Sequence, residues 1–180
     1  TTMPVASAPV DQWTHLAAIY TGSKVVLFRN GTALDSSVVY GNIEWSSAPS
    51  ELTLGSFTKD GTTKYFNGNL DEVRIWNTVR TRQEIKVYRR VELTGNETGL
   101  VGYWKIDEGT GNLVSDYSQY LNSGNINGAT WILEDSPLEF KTPIYDTGVI
   151  IGSTFQLLGR VGSNNFEEFG QRDTITLQDF

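Results

Sequence analysis

The sequence contains no cysteine and a single histidine, His15, and both facts narrow the chemistry open to it. Without cysteine, disulfide bonds and thiolate metal sites are excluded, and any redox compartment is compatible with the chain. With one histidine, every histidine-assisted nucleophile arrangement depends on His15. We interpret His15 as a packed structural side chain, because on a strand it shares a face with Trp13, Ala17 and Ile19.

Long apolar runs and an excess of positive charge are also lacking. No stretch approaches the roughly 18–20 apolar residues that span a bilayer, and no N-terminal signal pattern is present. The net charge of −7 argues against a nucleic-acid partner, because phosphate binding needs a basic surface. The basic cluster between Arg80 and Arg90 is interrupted by Glu84, which is typical of a solvated helix face.

Turn residues are abundant instead, with 18 glycines in 180 residues. Asn30-Gly31 lies between two apolar runs and predicts a tight hairpin. One segment breaks the strand pattern: Thr81 followed by Glu84 predicts a capping box and a short helix. Strands spaced by turns, with one helix, indicate an all-β fold, an antiparallel β-sandwich of the jelly-roll kind.

Several stretches follow one another in a recognisable order: WTHLAAIY, VVLFRNGTAL, LTLGSF, FNGNLDEVRIWNTVRTRQEI, LTGNETGLVGYWKIDEGTGNLVSDYS and NSGNINGATW. In this order they resemble the laminin-G-like domains of the concanavalin-A-like lectin and glucanase superfamily. The resemblance implies two antiparallel sheets and an extracellular or cell-surface location. It also implies adhesion, glycan binding or structural support, with no catalysis.

The resemblance divides the chain into three parts. Residues 1–11 are expected to form a linker or extended arm, residues 12–138 the sandwich, and residues 139–180 a β-rich extension without an assignment. The family's first strands are lacking, since few residues precede the first matched strand. The chain is therefore a piece of a longer protein, or its tail supplies the strands, or a neighbouring copy does so in a surface filament.

Asp71 raises a question about burial. Strict alternation from Asn69 places Asp71, Val73 and Ile75 on one face of a strand, where an unpaired carboxylate is costly. One hypothesis is a structural calcium ion, which prefers oxygen ligands and which the resemblance also suggests, with Asp71, Asp107 and Asp116 as ligands. The alternative is that backbone amides of the 107–116 loop satisfy Asp71 without a metal.

Exposed aromatic rings and paired carboxylates are the remaining candidates for a site. Trp45 and Trp76 are the candidate platforms for a glycan ligand, and packing in the core or against another module is the alternative. The superfamily's glucanases carry Glu-x-Asp-x-x-Glu on one strand, and no such triplet occurs here. Asp71 and Glu72 lie on opposite strand faces, so they cannot serve one scissile bond. We therefore predict a non-catalytic module whose partner is a glycan, a protein or a copy of itself, and a glycoside-active enzyme is the weaker alternative.

Overall fold

The computed structural model describes residues 9, 12–38, 51–132, 153–161 and 174–178. Trp45 lies outside these residues. Twelve strands and one helix are formed among them. Their bounds are β1 Trp13–Tyr20, β2 Lys24–Arg29, β3 Thr32–Val38, β4 Glu51–Leu54, β5 Ser56–Lys59, β6 Thr62–Tyr65, β7 Gly68–Trp76, α1 Arg82–Tyr88, β8 Leu100–Trp104, β9 Leu113–Val114, β10 Gly124–Asn127, β11 Ser153–Val161 and β12 Thr174–Gln178.

The strands form three antiparallel sheets. The larger sheet has six strands in the order β3-β2-β1-β11-β7-β8, and the smaller has four in the order β4-β12-β10-β9. Strands β5 and β6 pair only with each other, as a separate hairpin. This arrangement confirms the predicted antiparallel β-sandwich with one short helix.

The tail contributes a strand to each main sheet. Strand β11 lies between β1 and β7, and β12 lies between β4 and β10. The strands described in the tail therefore pair with the chain's own sheets, which corresponds to the alternative in which the tail supplies the strands that the family pattern lacks.

Local sequence signals explain how several elements begin and turn. Glu84 N–H donates to Thr81 Oγ1 at 3.2 Å, and Thr81 N–H donates to Glu84 Oε2 at 2.6 Å, so the predicted capping box is present. Asn30 and Gly31 have φ values of 50° and 80° and form the predicted turn between β2 and β3. Among the described residues, no helix has the length and apolar character needed to cross a membrane.

The apolar core has three parts. The first joins the two main sheets and contains Leu54, Val73, Trp104 and Val114. The second packs helix α1 on the other face of the larger sheet and contains Ala17, Ile19, Phe28 and Ile85. The third lies under the segment after the helix and contains Trp76, Leu93, Leu100 and Tyr103. The larger sheet is therefore covered on both faces.

Strand β7 departs from the predicted alternation. Leu70 packs against the same apolar cluster as Val73 and Ile75, whereas strict alternation predicts that Leu70 faces the other way. The cause is a bulge at Asp71 and Glu72: Glu72 has φ +54°, and the register against β11 shifts beside it. A bulge adds one residue to the strand and changes which side chains share a face. The prediction that Asp71, Val73 and Ile75 share one face of the strand therefore fails at Asp71.

Candidate functional site

The loop after β9 is held by one buried carboxylate, Asp116. Its Oδ1 accepts from the backbone N–H groups of Tyr103 at 2.9 Å and Ser118 at 2.7 Å. Its Oδ2 accepts from the Ser118 hydroxyl and from the Asn122 N–H, both at 2.9 Å. Four donors satisfy the charge without a counter-ion. Asp116 therefore fastens the loop of residues 115–123 to strand β8.

Further contacts fix both ends of this loop. Tyr117 N–H donates to the Tyr103 carbonyl at 2.7 Å, and the Trp104 indole N–H donates to the Asn122 carbonyl at 2.9 Å. On the other side, a Cβ at Gly95 would lie 2.0 Å from the Tyr117 carbonyl oxygen. Only glycine allows that approach, and Gly95 also has φ +87°. The loop is consequently built on the rigid part of the fold.

This rigid loop presents large apolar side chains to solvent. Tyr117, Tyr120 and Leu121 are 42%, 59% and 73% exposed, and we call these three side chains the loop surface. Leu121 also has φ +55°, a left-handed conformation that is costly for a non-glycine residue. Backbone strain of this kind is concentrated at functional sites. The loop surface is thus a part of the described chain where strain and apolar exposure coincide.

A cation and a second ring lie beside the loop surface. The Lys105 ammonium is 4.5 Å from the centre of the Tyr117 ring, and Lys105 also pairs with the carboxylate of Glu92. Burial lowers the pKa of Lys105, but the hydrogen bond and charge of Glu92 raise it by more. The Tyr103 and Tyr117 rings are tilted at 60° with centres 6.3 Å apart. These contacts fix the orientation of the Tyr117 ring.

Asp71 is much less well satisfied than Asp116. Its Oδ1 accepts from the Glu72 N–H at 2.8 Å. Burial raises the pKa of Asp71 to about 8, and the charges of Glu72 and Asp107 add to the effect. The amide that holds Asp71 belongs to the bulge and not to the 107–116 loop. The loop acts on Asp71 through the charge of Asp107.

The three carboxylates predicted for calcium are not brought together. Within the described residues, no group of three or more histidine, cysteine, aspartate or glutamate side chains could hold a metal ion. Asp107 is exposed, and the oxygens of Asp116 already accept four hydrogen bonds from the protein. The residues present therefore do not fit a calcium site formed by Asp71, Asp107 and Asp116.

The face of β7 opposite the inter-sheet core holds a buried ionic network. Arg74 pairs with Glu72 and donates to the carbonyls of Tyr88 at 2.7 Å and Val91 at 2.5 Å. The Tyr103 hydroxyl lies 3.0 Å from both oxygens of Glu72. Burial raises the pKa of Glu72, against the lowering effect of Arg74 and Tyr103. Glu72 is closed off from solvent and already partnered, so it does not offer a carboxylate to a substrate.

His15 lies on the same side of the larger sheet as this network. Its two ring nitrogens are buried and have no hydrogen-bond partner among the residues that the structure describes. Burial, together with the charges of Arg74 and Arg89, lowers the pKa of His15 to about 3. The imidazole is thus neutral at ordinary pH. It packs in the interior, as the sequence predicts, and lies away from solvent.

Trp76 requires a correction, because it is 1% exposed and belongs to the core. The Arg80 guanidinium lies 4.1 Å from the centre of its ring and is itself buried. No face of the indole is open to a sugar. The segment after the helix packs on this side of β7. The periodicity of a strand does not predict which segment packs on its faces.

Sequence reasoning also missed the loop surface. The signal available was SDYSQYLN, in which two tyrosines and a leucine interrupt a long polar loop. Ser118 two residues after Asp116 fits a local side-chain to backbone turn. The sequence by itself indicates only a polar loop here, because the exposure of the rings depends on how the loop is held against β8.

Residues 2–86 match the family model for the concanavalin A-like lectin and glucanase superfamily, in its laminin-G-like form. This match confirms the resemblance noted in the sequence over that part of the chain. It ends within helix α1, so the loop surface lies beyond it. No match was found among characterised proteins or solved structures.

Proposed function

We propose that this chain is a non-catalytic, extracellular binding module that recognises a glycan through the loop surface. The superfamily match supports a binding or structural module. The observation that carries the proposal is the exposure of Tyr117, Tyr120 and Leu121 on a loop fastened by four hydrogen bonds to Asp116.

The chemistry of the loop surface suits a sugar ring. Aromatic side chains combine an apolar face with a polar group, and tyrosine gives large contact area at a small cost in conformational entropy. Gln119 is exposed between the two tyrosines, and its amide can donate and accept hydrogen bonds. The rings can stack on the apolar face of a pyranose, and the amide can form directional hydrogen bonds with the hydroxyl groups of the same sugar.

Preorganisation supports the same conclusion. A loop that is already ordered does not lose conformational entropy when the ligand binds. The strain at Leu121 lowers the stability of the unbound protein. A substitution there is expected to improve stability at the expense of binding, as at other functional sites.

The test is a glycan array probed with the labelled full chain, followed by titration of each bound glycan. We expect Tyr120→Ala to weaken binding about tenfold or more, by analogy with the loss of an interface aromatic anchor. Phe57→Ala is the matched control, because Phe57 is an equally exposed ring on the separate hairpin. The control is expected to bind as the wild type does.

Two results would contradict the proposal. One is that no glycan is retained on the array. The other is that Tyr120→Ala and Phe57→Ala bind a retained glycan as tightly as the wild type does. Binding to a protein partner that depends on Tyr120, without any glycan binding, would keep the loop surface as the site but replace the ligand class.

A further inference from the structure

The cation beside the loop surface already has an acidic partner. The ammonium of Lys105 lies over the Tyr117 ring, 4.5 Å from its centre. The same ammonium donates a hydrogen bond to the Glu92 carboxylate and forms an ion pair with it. The side chains of Lys105 and Glu92 are only 18% and 22% exposed, and partial removal from water strengthens the attraction between two charges. Glu92 therefore neutralises the positive charge beside Tyr117.

Further carboxylates lie around the same region. Burial lowers the pKa of Lys105, but Glu92 together with the exposed Asp107 raises it by more. Glu108 Oε1 accepts a hydrogen bond from the Ser115 N–H at 2.7 Å, at the start of the loop that carries the loop surface. One lysine thus lies among three carboxylates, Glu92, Asp107 and Glu108.

This charge distribution opposes an anionic ligand. A carboxylate or sulfate on the loop surface would meet acidic side chains, and it could pair with Lys105 only by displacing Glu92. Like charges brought together across an interface are unfavourable, and such repulsion is one way in which a site excludes the wrong partner. The net charge of −7 also repels a polyanion during its approach.

A neutral sugar avoids these costs. Stacking on Tyr117 and Tyr120 and hydrogen bonds to the Gln119 amide need no charge on the ligand. We propose that the loop surface selects neutral glycans and that Glu92 excludes anionic ones by holding Lys105, a specificity that rests on the proposed function because it concerns the same surface. Neutral glycans here are those without carboxylate, sulfate or phosphate groups. Glu92 acts through Lys105 and is a positioning residue.

The experiment uses an array of matched glycan pairs, probed with the labelled full chain. Each pair consists of a neutral oligosaccharide and the same oligosaccharide carrying a sialic acid or a sulfate group. The wild type is expected to bind the neutral member about tenfold or more tightly than the anionic member. Titration at low and high salt is expected to change the neutral affinity little, because no ion pair forms with the ligand.

The variant Glu92→Gln tests the positioning role. It frees the Lys105 ammonium and removes one negative charge. The ratio of anionic to neutral affinity is expected to rise about tenfold, equivalent to about 1.4 kcal/mol, and the rise is expected to fall at high salt. A merely structural role for Glu92 predicts weaker binding of both members of a pair and no change in their ratio.

Two further variants assign the change to Lys105. Glu51→Gln makes the same change in net charge at an exposed glutamate of strand β4, and it is expected to keep the wild-type ratio. Glu92→Gln combined with Lys105→Gln removes the freed cation and is expected to lose most of the gain. Circular dichroism checks that each variant keeps the β-fold.

Three results would overturn the inference and leave glycan recognition in place. The first is a wild type that binds the anionic member of a pair as tightly as the neutral member. The second is an affinity ratio that Glu92→Gln leaves unchanged. The third is an equal change in Glu51→Gln, which would assign the selectivity to net charge and not to the Lys105 pair. A wild type that retains no glycan contradicts the proposed function itself, and the specificity fails with it.

Discussion

Asp116, in the loop after β9, and Asp71, in the bulge of β7, are two carboxylates removed from water that differ in the hydrogen bonds they accept. Asp116 accepts four hydrogen bonds and joins a loop to strand β8. Asp71 accepts one amide hydrogen bond, and its pKa rises to about 8. Asp71 lies in strand β7, and Asp116 forms an isolated bridge with Trp104 of the neighbouring strand β8. The number of donors aimed at the carboxylate, and not its burial alone, distinguishes them.

Glu72 lies between these extremes. It has a full positive partner in Arg74 and a phenol in Tyr103, yet burial still raises its pKa. A buried ion pair does not by itself imply a gain in stability, because desolvation offsets much of the attraction. Removing one partner destabilises the fold, because the other charge then stays buried without a counter-charge.

The largest effect is expected for Arg74→Met. The substitution leaves Glu72 without its cation and removes the Arg74 hydrogen bonds to the Tyr88 and Val91 carbonyls, although the Tyr88 carbonyl still accepts from the Val91 N–H. We expect a loss of about 3–5 kcal/mol in the free energy of unfolding, measured by urea denaturation. The double variant Arg74→Met with Glu72→Met is expected to recover most of that loss. A double variant as unstable as the two single losses added together would contradict this account.

Asp116→Ala is expected to have the next largest effect. It leaves the N–H groups of Tyr103, Ser118 and Asn122 without their acceptor, and each stranded buried donor is costly. We expect a loss of about 2–4 kcal/mol and faster amide exchange in residues 115–123. Asp116→Asn, which keeps one acceptor oxygen, is expected to lose less. Equal stability of Asp116→Ala and the wild type would show that the loop is held by other contacts.

Asp71→Asn is expected to have the opposite sign. The folded pKa of Asp71, about 8, lies above the ordinary value of 3.8. The folded state therefore holds this proton more tightly, so its contribution is full below pH 4 and is lost as pH rises through 8. Asparagine cannot ionise, and we expect it to raise stability at pH 8.5 by about 1–3 kcal/mol and by less at pH 6.5.

The pH window for this measurement is set by His15. Its folded pKa of about 3 lies below the ordinary 6.5, so acidification between those values destabilises the fold. Unfolding measured between pH 6.5 and 9 therefore avoids the titration of His15, and the comparison of each variant with the wild type at the same pH assigns the difference to Asp71. Asp107→Asn is the companion variant, because removing that charge is expected to lower the pKa of Asp71. A stability difference that stays constant across this window would contradict the assigned pKa.

Leu121→Gly is expected to give the smallest effect. Glycine adopts the observed φ of +55° without strain, and Leu121 contributes little to the core at 73% exposure. We expect a gain of up to about 1 kcal/mol in stability, together with weaker glycan binding. Leu121→Ala keeps the unfavourable φ and is the control, with no expected gain. A destabilised glycine variant would mean that Leu121 packs more than its exposure indicates.

The sequence predicted those features that depend on neighbouring residues. The Thr81 and Glu84 capping box and the Asn30-Gly31 turn are formed by residues at most three positions apart. The antiparallel β class and the family resemblance follow from repeated patterns of the same local kind. The prediction for β7 holds for Val73 and Ile75 and fails at Leu70, because a bulge changes the period and leaves little trace in the residue types.

Tertiary structure decided everything that depends on which distant segments meet. The sequence alone predicted that Asp71 and Trp76 lie on a strand and that Asp116 lies in a loop, but it did not determine what covers them. Asp116 holds its loop against β8 because that strand places the Tyr103 backbone N–H within hydrogen-bonding distance of the carboxylate. Trp76 became a core residue because Leu93, Leu100 and Tyr103 pack in one cluster with it. The burial of a side chain and the number of hydrogen-bond donors around it depend on which segments pack together. The periodicity of a strand distinguishes its two faces, but it does not show what packs on each of them.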